Sequence, residues 1–513
     1  MAKAPLMAER QTLTAALTAA FATHVGKVCL TIPGGATWTY GQIDELAARF
    51  VGVLGELAVE PGDRILVQVD KSVEAVALYL ACLRAGCAYV PINTAYTGAE
   101  VTYFVGDAQP ALFVCRPAQA AEMAEAFAGL PVKSLGTAGD GSLLDAAKQA
   151  STVAEIAACE PDDVAAILYT SGTTGRSKGA MLTQHNLLSN AEVLIELWGW
   201  QEDDVLLHAL PIFHVHGLFV ALHCVLLTGT QALFLRGFNA TEVASHLNEA
   251  TVMMGVPTFY TRLLDEPGFS AAACANMRLF ISGSAPLTEQ TFAAWEALTG
   301  HRILERYGMS ETAMITSNPL VGERVAGTVG FALPGVDVRI ADANGNALAP
   351  GEVGIIEMRG PNVFKGYWRM PDKTAEEFRG DGFFVTGDMG RMDPDGRVTI
   401  VGRAKDLVIS GGYNVYPKEV EKLIDDIPGV RESAVIGVPH ADFGEGVVAV
   451  VVPEGDAVSL KEVQAVLAGQ LARFKQPKQV VNVAELPRNA MGKVQKNALR
   501  DQFIDLFEGG DTA

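Results

Sequence analysis

Short β-branched runs separated by helix-length segments set the architecture open to this chain. RILVQV at 64–69 reads as a strand, VEAVALYLACLRAG at 73–86 as an apolar helix stopped at Gly86, and AYVPI at 88–92 as the next strand. A helix over 98–107, ALFVC at 111–115, VAAILYT at 164–170, QALFL at 231–235, VMMGV at 252–256 and RLFIS at 278–282 continue the alternation. Strands joined through helices need crossover connections, which predicts largely parallel sheets buried on both faces. From about residue 335 the pattern changes to VDVRIAD, GEVGIIEMRG and GRVTIVG, short strands with glycine-rich turns. A last unit offers a helix over 418–427, strands at 433–438 and 447–453, a helix over 459–472 and a basic tail. The expected fold is α/β. A large N-terminal domain of mixed and parallel sheets, with helices and a small antiparallel barrel-like part, precedes a small α+β C-terminal domain.

Composition excludes several classes. A hydrophobic fraction of 49% is too high for a disordered chain, and 52 glycines with 24 prolines are too many for a coiled coil. A net charge of −20 argues against nucleic-acid and anionic-membrane partners. The seven cysteines are odd in number, lack C-x-x-C spacing and sit mostly in apolar runs, as reduced core thiols of a cytoplasmic protein do. Residues 12–30 are broken by Thr12, Thr14, Thr18 and Thr23, which favours an amphipathic first helix over a secretory signal. The apolar stretch 217–235 carries His223 and is split at Thr228-Gly229-Thr230, so it reads as a buried helix and strand rather than a membrane span.

The sharpest chemical signal is Tyr169-Thr-Ser-Gly-Thr-Thr-Gly-Arg-Ser-Lys-Gly179, directly after a predicted strand. Three glycines, four hydroxyls and two cations within residues 171–179 suit a loop whose backbone N–H groups approach phosphate oxygens. The P-loop pattern G-x-x-x-x-G-K-[ST] is not met, because residue 177 is serine. A plain ATPase or phosphotransferase is therefore the weaker use of this loop.

The loop resembles the phosphate loop of the adenylate-forming superfamily, and further stretches agree in order. They are PIFHVHG at 211–217, ISGSAPL at 281–287, ERYGMSET at 305–312, FFVTGD ending at Asp388, GRAKDLVISGGYNVYPKEVE at 402–421 and LPRNAMGKVQK at 486–496. Within that superfamily HGLFVA, MGVPTFYTRLL, TSNP, GPNVFKGYWRMP and GVPHADFGEGV look most like malonyl-CoA synthetases. The resemblance implies an ATP-dependent ligase that converts malonate, with methylmalonate also allowed, and CoA into an acyl-CoA through an acyl-adenylate, releasing AMP and pyrophosphate. A short-chain monocarboxylate or aryl acyl-CoA ligase of the same superfamily is the alternative.

The resemblance also implies roles. ATP would be held by Thr170, Ser171, Gly172, Thr173, Thr174, Gly175, Arg176 and Lys178, by Gly283, Ser284 and Ala285, and by Arg306, Tyr307, Gly308, Met309 and Ser310. Asp388 would take the ribose hydroxyls and Arg403 would support ribose and phosphate. Mg²⁺ would sit on Thr174 and Glu311, hard oxygen ligands that suit it. Lys493 would bridge the acid and the α-phosphate, and is a candidate for acetylation. Residues 1–402 would form the large domain, 403–406 with Lys405 the hinge, and 407–513 the lid. Gly411-Gly412 would line the CoA tunnel, and the basic stretch 473–500, with Glu485 alone opposing seven cations, would meet CoA phosphates.

Three readings stay open. Lys405 is either a hinge residue or an exposed lysine. His214 suits a pocket wall, while His208, His214, His216 and His223 lack the cysteine or carboxylate that would complete a metal site. Arg306 either grips a second carboxylate, with Val215 and Met314 as pocket floor, or pairs with Glu305 at the surface.

Overall fold

The computed structural model describes residues 11–170, 177–410, 413–440, 443–468, 470–489 and 492–507, with Asn414 described by its backbone alone. Two large sheets dominate. Seven strands run in the order Gly366–Tyr367, Lys178–Thr183, Val164–Thr170, Ala88–Pro91, Arg64–Gln68, Leu112–Cys115, Val132–Ser134. Nine run in the order Phe331–Ala332, Ala313–Ser317, Leu304–Met309, Leu279–Ser282, Val252–Gly255, Val205–His208, Gln231–Phe234, Val28–Thr31, Thr37–Thr39. Their central pairings are parallel, as the alternation requires. Antiparallel strands close both edges of the nine-stranded sheet and one edge of the seven-stranded sheet, where Lys178–Thr183 folds straight back on Val164–Thr170.

The helix Val73–Arg84 is apolar on nearly every side and is accordingly buried almost throughout. Ser72 starts it by accepting the Ala75 N–H. Tyr40 and Tyr79, fully buried with Trp198, carry their hydroxyls to partners: Tyr40 to the Val225 and Thr230 carbonyls, Tyr79 to His223. The run read as helix then strand at 217–235 does both, but begins as π-helix over His216–Leu222 before continuing as α-helix over His223–Thr228. Gly229, at φ +70°, ends it. Among the described residues no helix is long and apolar enough to cross a membrane.

The expected small antiparallel part is a four-stranded sheet of Asp337–Ala341, Gly354–Arg359, Phe384–Met392 and Val398–Arg403. After a 3₁₀ turn over Ala404–Asp406 comes a five-stranded sheet of Tyr413–Val415, Val408–Ser410, Gly444–Pro453, Val430–His440 and Gln479–Asn482. It has apolar clusters of its own, one around Val420, Ile424 and Val463, another around Ile436, Leu486 and Leu499. The helix expected over 459–472 is shorter, Leu460–Leu467.

Candidate functional site

Three groups of side chains lie where strands of the large sheets approach the four-stranded sheet, near strand ends, the usual ligand position in α/β folds. The first is built on register. Asp388 and Arg403 face each other across neighbouring antiparallel strands, and Arg403 Nε lies 2.6 Å from Asp388 Oδ1. Tyr307 donates its hydroxyl to Asp388 Oδ2 at 2.5 Å. The carboxylate is buried yet held from both sides, which keeps it oriented.

The second group surrounds Glu311. Its Oε1 accepts from Thr170 at 3.4 Å and from the Tyr367 hydroxyl at 3.1 Å, and Tyr367 also reaches Glu377 Oε2 at 2.6 Å. Burial pushes the Glu311 carboxyl up. A buried carboxylate of this kind suits a cation-binding role, which fits Mg²⁺. Burial also works against charge on Glu377, but bonds from Lys178 and Tyr367 hold that carboxyl below its usual range. Lys178 belongs to this same group. It is the first residue of a strand, paired with Glu377 at 2.8 Å and lying 4.0 Å from the Tyr367 ring centre, so its charge is already neutralised.

The third group is cationic and short of partners. Arg306 is 2% exposed and turns to the strand face opposite Tyr307. A Cβ added to Gly283 would fall 2.5 Å from its guanidinium carbon, so glycine is what lets the arginine lie against that backbone. Arg306 Nε and Nη2 are buried with no hydrogen-bond partner, and among the described residues it forms no ion pair. Glu305 is not its partner: that carboxylate accepts the Leu287 N–H at 3.3 Å, and burial pushes it up to about 8. Burial pulls Arg306 down to about 9. His214 is brought down to about 3 by burial, then by Lys493 and Arg306, and its buried Nδ1 has no partner. His216 pairs Nδ1 with Ser284 Oγ at 3.2 Å, while its Nε2 is equally orphaned. Orphaned buried donors next to an unpaired guanidinium carry a desolvation cost that an entering anion would offset. Val215 and Met314 are buried nearby in sequence and strand order. No group of three or more His, Cys, Asp or Glu that could hold a metal ion occurs among the described residues, and His208 and His223 are engaged with Lys71, Gly217 and Tyr79.

Lys493 comes from the C-terminal unit. Asn489 and Lys493 exchange hydrogen bonds across a tight turn, and Gly492, at φ +73°, packs against Thr258 of the large unit. Burial first, then Arg403, lowers Lys493 to about 8, with Asp388 and Glu311 opposing and Arg306 reinforcing the fall. It thus feels all three groups at once. The rest of the basic tail behaves differently from expectation. Lys475, Arg488, Lys496 and Arg500 are tied to Glu419, Glu432, Glu421 and Asp406, whereas Arg473, Lys478 and Lys493 form no ion pair among the described residues.

Residues 17–368 match the family model described as AMP-binding enzyme, and 419–493 match that of the AMP-binding enzyme C-terminal domain. The chain belongs to the AMP-binding enzyme family. It is 34% identical to the malonate–CoA ligase of Arabidopsis thaliana over 86% of this chain and 78% of the relative. It is 35% identical to a feruloyl-CoA synthase of an Amycolatopsis species, covering 92% and 95%. The crystal structure of ATP-bound MatB from Rhodopseudomonas palustris superposes with a TM-score of 0.94 at 52% identity, covering 97% of this chain and all of that one.

Other expected positions of this AMP-binding enzyme fall as follows. Gly308 packs its backbone against the Ala313 carbonyl, and Met309 ends the strand before Ser310. Ser284 takes a left-handed backbone at φ +72°, which aims the 283–285 turn, with Ala285 partly exposed, toward His216. Lys405 is exposed within the 3₁₀ turn. Ser171, Gly172, Thr173, Thr174, Gly175, Arg176, Gly411 and Gly412 lie outside the described residues. Tyr367 and Glu377 were not foreseen. Nothing in a lone GYW or in an AEEF helix end distinguishes them from packing and surface residues.

Proposed function

We propose that the protein is an AMP-forming malonate–CoA ligase. The carrying observation is Arg306, a buried guanidinium with two unpartnered nitrogens and no carboxylate paired with it among the described residues. A monocarboxylate gives such a group nothing to bind, whereas malonate brings a second carboxylate that a planar fork can hold. The malonate–CoA ligase relatives support the same substrate, and the feruloyl-CoA synthase at similar identity makes an aryl acid the reading to test against it.

In this reading the proximal carboxylate attacks the α-phosphorus of ATP, pyrophosphate leaves, and CoA thiolate then displaces AMP. Lys493 bridges the attacking carboxylate and the α-phosphate, offsetting charge that builds as two anions meet. Asp388, oriented by Tyr307 and Arg403, accepts the ribose hydroxyls. Glu311 would hold Mg²⁺, which when bound supplies charge neutralisation at the phosphates. Lys178 exchanges Glu377 for a phosphate oxygen when ATP binds. His214 donates beside Arg306. The lid, 407–513, turns on a hinge at 403–406 so that Gly411 and Gly412 meet the pantetheine arm. Buried free thiols favour a reducing compartment, the cytoplasm.

The test is an acid panel of malonate, methylmalonate, butyrate, benzoate and ferulate, read by AMP release with CoA present. Malonate should give the highest kcat/KM. A higher value for ferulate or butyrate would replace the dicarboxylate reading.

A further inference from the structure

Lys71 is 8% exposed and, among the described residues, pairs with no carboxylate. It follows the strand Arg64–Gln68 of the seven-stranded sheet, yet its ammonium reaches the last residue of a strand in the other sheet. Nζ lies 2.7 Å from His208 Nδ1 and donates to the His208 carbonyl at 2.8 Å, beneath the Phe234 ring at 4.3 Å. With a lysine donor at Nδ1, His208 must carry its proton on Nε2, and that N–H donates to the Gly217 carbonyl at 2.9 Å.

Gly217 is the second residue of the π-helical turn His216–Leu222. That turn is an uncommon conformation that needs outside support, and such turns concentrate at functional sites. Its approach is close: a Cβ on Gly217 would meet the Pro211 carbonyl at 2.0 Å. The turn begins with His216, bound to Ser284, and follows His214, whose carbonyl accepts the Leu218 N–H at 3.0 Å. Both imidazoles face Arg306 electrostatically.

We propose that Lys71 is a positioning residue of the acid pocket: through His208 and the Gly217 carbonyl it fixes the π-helical turn that sets His214 and His216 beside Arg306. A methionine would fill the same buried space, so the amine is there for its donors. This inference rests on the acid site assigned above, but not on which acid enters it.

The test compares wild type with Lys71→Met and Lys71→Gln, the second keeping a donor for Nδ1. Steady-state kinetics read KM for the acid, KM for ATP and kcat, with melting temperatures alongside. Lys71→Met should raise the acid KM about tenfold, the usual consequence of one orphaned buried polar group, with the ATP KM nearly constant. Lys71→Gln should recover most of that loss. An unchanged acid KM, an equal rise in both KM values, or a glutamine variant no better than methionine would overturn the proposal. If the methionine variant does not fold, His208→Phe against Lys71→Gln gives the same split: the phenylalanine variant should raise the acid KM several-fold more than the glutamine variant, and equal values would overturn the proposal. Wild-type preference for an acid other than malonate would defeat the substrate reading while leaving this comparison intact, read with the preferred acid.

Discussion

Arg403 and Asp388 face each other across a strand pair with 2.6 Å between Nε and Oδ1, and the same carboxylate accepts from Tyr307 at 2.5 Å. A nucleotide ribose bound as proposed would therefore meet a carboxylate that is already held, with spare lone pairs that bind without reorganisation.

Asp388→Ala should accordingly weaken ATP far more than it weakens the acid. It removes the proposed ribose acceptor and takes a carboxylate partner from both the Tyr307 hydroxyl and Arg403. Loss of charged hydrogen bonds costs about 1.5–3 kcal/mol each, so ATP affinity should fall on the order of a hundredfold. Calorimetric titration with ATP measures it, and melting temperature separates binding from folding. An ATP affinity within a factor of about two of wild type would remove Asp388 from the nucleotide site.

Lys493 should be needed for adenylate formation and dispensable afterwards. Lys493→Ala should abolish acid-dependent pyrophosphate release, yet still convert supplied malonyl-AMP and CoA to the thioester. Equal loss of both half-reactions would contradict a two-position lid. The pH dependence has a definite sign. Burial lowers this ammonium to about 8, so the cation is complete below that value and is lost as pH rises through it. The kcat/KM of adenylation, which reports the free enzyme, should fall above about pH 8. Acetylation of Lys493 should mimic the alanine variant, since it removes the same charge.

Lys405 sits exposed in the turn Ala404–Asp406, between the strand that carries Arg403 and the first strand of the C-terminal sheet. Proline there would lock φ and remove a backbone donor at the junction without disturbing a packed side chain. Lys405→Pro should keep adenylation close to wild type and slow thioester formation, because Lys493 is already buried within reach of Arg403, Asp388 and Glu311, the groups proposed to hold ATP and Mg²⁺. Stopped-flow assays of the two half-reactions distinguish them. Full overall turnover would show that the lid turns elsewhere.

The alternating strands at 64–69, 88–92, 111–115 and 164–170 were legible because a buried parallel strand is a short unbroken apolar run. Each appears within about a residue of its expected span. The strand Lys178–Thr183 was not read, since its lysine and glycine belong equally to the phosphate motif. The same overlap hid the Lys178–Glu377 pair, whose members are 199 residues apart. Pairing of that kind is set by how the 366–377 segment lies on a sheet edge, and no local pattern encodes it. Arg306 and Lys493 could be singled out by motif, but only the fold reveals that Glu305 turns away from the arginine.

That orientation decides the substrate prediction. Malonate at neutral pH is a dianion, and its reacting carboxylate must approach ATP phosphates. The far carboxylate then needs a counter-charge, or its desolvation would cost several kcal/mol. Arg306 offers one, with Nε and Nη2 unspent and His214 alongside. Binding should also push the guanidinium back up from about 9, because the carboxylate favours its charged form. Truncation to methionine keeps much of the apolar bulk while removing the fork. Arg306→Met should therefore lower kcat/KM for malonate by about 3 kcal/mol, or roughly a hundredfold, and lower that for butyrate much less. The malonate-to-butyrate ratio is the quantity to measure, since a general folding defect reduces both numbers and leaves the ratio standing. Because the arginine is buried with no ion-pair partner among the described residues, its replacement should not reduce the melting temperature and should raise it slightly. A ratio unchanged from wild type would place the distal carboxylate on another residue.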